Sequence, residues 1–77
     1  MKVGYIVGLY LDKMLSDLGA AGLKKHLGNL IGGTLASLVV ETLVKKGTAK
    51  AVAALGTKVG ALAGPAGAVI GVIAGAS

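Results

Sequence analysis

The sequence predicts an all-α protein, and three observations carry that expectation. Apolar residues recur with a helical period through the first 18 positions, large and small residues sort onto separate faces between residues 27 and 43, and six glycines stand at steps of three or four between residues 56 and 75. Together they predict one domain over residues 1–77. Its layout is two long glycine- and alanine-rich helices in an antiparallel hairpin, preceded by a shorter amphipathic N-terminal helix.

The N-terminal helix is expected over residues 1–18. Val3, Ile6, Val7, Tyr10, Leu11, Met14, Leu15 and Leu18 form its apolar side, while Asp12, Lys13, Ser16 and Asp17 occupy the other. Gly19 and Gly22 then supply a stop signal. These charges inside the apolar pattern do not suit a secretory signal, so Met1 reads as a genuine start with no processing.

A second helix is expected over residues 23–46. Leu27, Leu30, Ile31, Leu35, Leu38, Val39 and Leu43 make its large-residue face, Gly28, Gly32 and Ala36 a small-residue face, and the Gly32-Gly33 pair a point where it can kink. Lys45 and Lys46 fall in its last turn, where the helix dipole favours cations. The polar stretch "KKGTAK", residues 45–50, reads as the hairpin's basic turn, with Gly47 reversing the chain and Thr48 capping the next helix.

The third helix, residues 48–76, carries the glycine ladder: Gly56, Gly60, Gly64, Gly67, Gly71 and Gly75. Each glycine in a helix interior costs roughly 0.5–1 kcal/mol relative to alanine, so such spacing calls for compensation from a partner helix. Small residues four apart supply it by letting two backbones approach closely. The expected helix-packing positions are therefore Gly28, Gly32, Ala36, Gly56, Gly60, Gly64, Gly67, Gly71 and Gly75, and Gly4 and Gly8 share the spacing. Pro65 either starts a new helix after Gly64 or kinks the existing one. From Val59 to Ser77 no charge occurs, a run of 19 residues that is formally long enough to span a bilayer.

Composition narrows the function classes. Hydrophobic residues make up 55% of the chain, yet 13 residues are alanine, 14 are glycine and none is phenylalanine or tryptophan, so a lone core is broad but thin. With no cysteine and one histidine, disulfide and metal staples are excluded, which leaves oligomerisation or lipid as the external support. The absence of cysteine and glutamine and the single asparagine, Asn29, fit a thermostable protein.

Eight lysines against three acids give a net charge of +5, which suits anionic partners. With no arginine, base-specific reading is disfavoured, whereas nonspecific phosphate neutralisation by lysine is allowed. Lys45, Lys46 and Lys50 are the candidate phosphate-facing residues; a solvated loop and lysines snorkelling to lipid headgroups are the alternatives. His26, Asp12, Asp17, Glu41 and the serines show no catalytic or metal-binding pattern and read as surface groups, and no nucleotide-binding glycine motif is present. The expectation is a non-enzymatic protein with no cofactor and no small-molecule substrate.

Residues 30–75, "LIGGTLASLVVETLVKKGTAKAVAALGTKVGALAGPAGAVIGVIAG", resemble the paired apolar helices and lysine-bearing turn of the small major coat proteins of rod-shaped archaeal viruses. The layout is also similar to that of conjugation-type pilins. This resemblance implies many copies of the chain in a helical shell within a virion, with Lys45, Lys46 and Lys50 turned toward packaged DNA. Single-helix phage coats run acidic, apolar, then basic, and the apolar C-terminal end here departs from them. "KKGTAKAVAALG" and "AGPAGAVIGVIAGAS" resemble stretches of unmodified and circular bacteriocins, which implies a secreted or membrane-associated protein that permeabilises anionic membranes. A small resident membrane protein is the remaining alternative.

Overall fold

In the computed structural model, which describes residues 3–70, every break between helices falls on a glycine with positive φ. Helix α1 spans Val3–Ile31 but turns at Gly19, which divides it into arms over 3–18 and 20–31. Helix α2 spans Gly33–Lys46, α3 spans Thr48–Leu55, and α4 spans Val59–Ile70 after a 3-10 turn over Gly56–Lys58. The backbone angles at Gly19 (φ 75°, ψ 171°), Gly32 (φ 91°, ψ 149°) and Gly47 (φ 101°, ψ 176°) belong to a region that is essentially closed to residues with a Cβ.

The all-α class is therefore observed, but the layout differs from the expected hairpin. The helix expected over 23–46 is divided: residues 23–31 complete α1, and Gly32 separates them from α2. The ladder helix expected over 48–76 is divided at Gly56, and its end from residue 71 onward, with Gly71 and Gly75, lies outside the described residues. A long helix made largely of glycine and alanine has few large side chains to bury along its length. Breaking it lets each short segment turn its leucines and valines toward one centre.

Some expectations hold in detail. The first helix turns at Gly19, and Gly47 makes the turn between α2 and α3, where its N–H donates to the carbonyls of Thr42 and Leu43. Thr48 is not a cap, however; it is the first residue of α3, and the cap position belongs to Gly47. Pro65 does not begin a helix, because α4 runs from Val59 through it to Ile70.

The core draws on every helix. Val7, Tyr10 and Leu11 come from the first arm of α1, Leu23 and Leu27 from the second, Ala36, Val39, Val40 and Leu43 from α2, Ala51 and Leu55 from α3, and Leu62 and Ala66 from α4. Helix α1 packs against α2, α3 and α4, while α2 also packs against α3. The radius of gyration of 11.2 Å matches the roughly 11 Å expected of a compact chain of this length. Not all of the expected apolar faces are buried: Val3, Leu18, Leu30 and Leu38 are exposed. The break at Gly32 explains the last two, since α1 and α2 no longer share one helical face.

Glycines that make room for a neighbouring helix's side chains do occur, but at the other end of the chain. A Cβ built on Gly8 would lie 3.0 Å from Thr48 Cγ2 and 3.6 Å from Val52 Cγ2, and one on Gly4 would lie 3.5 Å from Val52 Cγ1. Gly8 thus admits α3 against the first arm of α1.

These two uses of glycine predict opposite responses to alanine. Gly47→Ala forces a Cβ into a glycine-only conformation and should cost about 1–3 kcal/mol. Gly60 lies near the start of α4 with open space where its Cβ would stand, so Gly60→Ala should stabilise by about 0.4–1 kcal/mol. Thermal melts should show the first variant's midpoint falling and the second's rising, by roughly 4–8 °C per kcal/mol.

Candidate functional site

The basic turn forms where α2 meets α3. Lys45 and Lys46 end α2, Gly47 turns the chain, and Lys50 lies in the first turn of α3, with all three lysines exposed. Lys45 and Lys46 sit favourably at a helix C-terminus, where the dipole is negative. Asp12 reaches the edge of this turn, and Thr48 Oγ1 donates to its Oδ1 at 2.7 Å. The only ion pair among the described residues lies elsewhere, between Lys13 and Asp17 at 3.4 Å.

The glycines expected to pack helices are scattered through the fold. Gly28 lies in α1 and a Cβ there would meet only the Gly33 backbone, at 3.8 Å. Gly32 and Gly56 are backbone breaks, and nothing lies within 4 Å of a Cβ built at Gly32, Gly56, Gly60 or Gly64. Gly67 is half-buried in α4. Of the seven expected positions among the described residues, Ala36 alone is in the core, fully buried. Among the described residues, no partner helix is seated along Gly60 and Gly64.

His26 has a structural partner that the sequence pattern did not signal. The buried Tyr10 hydroxyl hydrogen-bonds His26 Nε2, so the pair ties the two arms of α1 together across the Gly19 bend. Burial pushes the Tyr10 phenol above its ordinary pKa, which keeps it neutral. Their separation of 16 residues gave no helical signal, because the contact exists only after the chain folds back.

Two open grooves mark the surface. One, of about 470 Å³, lies between the first arm of α1 and α3 and is lined by Gly4, Tyr5, Gly8, Leu9, Asp12 and Val52 among others. The second, of about 590 Å³, lies where α1 gives way to α2 and is lined by Ile31, Gly32, Gly33, Thr34, Leu35, Leu38 and Lys58. Beyond Lys58 runs the most apolar part of the chain. Thr48–Ile70 is apolar and long enough to cross a membrane, yet only 17% of its most apolar 18-residue window is buried.

Among the described residues, no three His, Asp or Glu side chains gather as metal ligands would. The site is a surface: exposed lysines, two grooves and a weakly covered apolar segment. Comparison with protein-family models, curated proteins and solved structures found no match for this chain.

The Tyr10–His26 bond makes a direct prediction for stability. Tyr10→Phe keeps the ring but removes the hydroxyl, and should cost about 0.5–1.5 kcal/mol. A melting midpoint unchanged from the parent would show that the bond does not hold the two arms together.

Proposed function

We propose that this protein is a non-enzymatic, cationic, membrane-active protein of the bacteriocin type, which binds anionic bilayers from the aqueous side and makes them leak. The observation that carries this reading is the poorly covered apolar segment Thr48–Ile70 in a chain of net charge +5. The segment's larger side chains Val52, Leu55, Val59, Leu62 and Ile70 pack in or against the core, whereas Val69 and the alanines Ala49, Ala53, Ala61 and Ala68 stay exposed. Lipid can cover the latter, and exposed lysines at Lys45, Lys46, Lys50 and Lys58 supply attraction to anionic headgroups of about 1 kcal/mol each near the surface. The break at Gly56 and the charge at Lys58 within the segment suit a helix pair lying in the interface.

A second reading is favoured by one observation. Open space over Gly60 and Gly64 leaves room for the backbone of another copy, as self-assembly into a filament or virion coat requires. In that reading Lys45, Lys46 and Lys50 face packaged DNA. The extended two-helix hairpin that suggested it is absent among the described residues, so its support reduces to the glycines and lysines.

Dye release from vesicles separates the two. Release should occur from phosphatidylglycerol-containing vesicles and not from pure phosphatidylcholine. It should weaken as salt rises toward 1 M, where the screening length shortens from about 10 Å to about 3 Å. Regular rods in negative stain with no release would favour the coat, and in that case Gly60→Leu should abolish the rods.

A further inference from the structure

We propose that the groove lined by Ile31, Leu35, Leu38 and Lys58 is the place where an anionic phospholipid docks, an assignment that rests on the membrane-active reading. Its walls are apolar, and among the described residues Lys58 is the sole charged one that lines it, with no carboxylate. This is the charge pattern of a single anionic lipid: acyl chain along Ile31, Leu35 and Leu38, headgroup phosphate at the Lys58 ammonium. Lysine suits that role because its apolar stem can follow the groove while its charge stays at headgroup level. The other groove has the opposite sign at its end, since Asp12 lines it, and an anionic headgroup would be repelled there.

Position reinforces the chemistry. Leu38 is 52% exposed at the lip of the groove and Leu30 is 37% exposed on the last turn of α1. Lys58 immediately precedes α4, the end of the partly covered apolar segment. Groove, exposed leucines and the start of α4 therefore lie around one lysine. The first contact with the bilayer is assigned to this neighbourhood rather than to the turn formed by Lys45, Lys46 and Lys50.

The chain has no tryptophan, so single-tryptophan variants report their own surroundings. Leu38→Trp places the probe at the groove. Val44→Trp places it at an equally exposed position, 59% accessible, a third of a turn round α2 and next to the basic turn. With phosphatidylglycerol vesicles, the emission of Leu38→Trp should shift to the blue and be quenched by brominated acyl chains, while Val44→Trp should do neither. Lys58→Gln in the Leu38→Trp background should weaken vesicle binding about fivefold, the loss expected of one lysine at an anionic surface.

A response from Val44→Trp without one from Leu38→Trp would overturn the groove assignment and leave the membrane reading intact. Unchanged affinity in Lys58→Gln would do the same. A concentration-dependent blue shift of Leu38→Trp without vesicles would assign the groove to a second copy of the chain. Failure of the unsubstituted protein to sediment with vesicles would instead sink the membrane reading itself.

Discussion

A backbone that turns only at glycine is the constraint on which the rest of the fold depends. Gly19, Gly32 and Gly47 hold angles that other residues essentially do not adopt, and Gly56, at φ 57° and ψ −129°, also has positive φ. Each delivers the next segment back onto the same centre. Without those turns, the leucines and valines of neighbouring segments would be spread along rods with little to pack against. The Tyr10–His26 bond and the contact of Thr48 with Gly8 and Asp12 follow from this folding back, since they join residues far apart in sequence.

The resulting core is economical in size. Three of its members, Ala36, Ala51 and Ala66, are alanines that bring helices close while filling little volume, and Tyr10 is its one aromatic residue. A core built this way does not cover all the apolar surface that the sequence contains. Leu30, Leu38, Val44, Val69 and much of Thr48–Ile70 stay accessible. That residue of uncovered apolar surface, bordered by lysines, links the packing to the proposed encounter with a bilayer. Folding and membrane binding would then compete for the same side chains, and a thin core makes the exchange less costly.

Much of the secondary structure was legible because it is local. The apolar period of residues 3–18, the turn at Gly47 and the break at Gly19 all show themselves within a few residues of sequence. Gly56 was harder. Its spacing within the ladder matched a continuous helix, and a four-residue interval looks the same whether glycine packs a helix or ends one. Gly4 and Gly8 carry the spacing too, and they lie against side chains of another helix, because α3 crosses there. The Lys58 groove had no sequence signal: its lining combines residues 31–38 with residue 58, brought together by the turns between them.

By itself, then, the sequence determined the helical class, the amphipathic first segment, the basic turn at residues 45–50, the cationic surplus and the shortage of large side chains. These depend on residue identity and on spacing within one or two turns, which no later folding can change. Only the tertiary structure decided which glycines break helices and which admit a neighbour, which leucines are buried, and which lysine stands beside an apolar groove. Those outcomes depend on how far each glycine turns the backbone, and that angle is selected by the packing of all the segments at once.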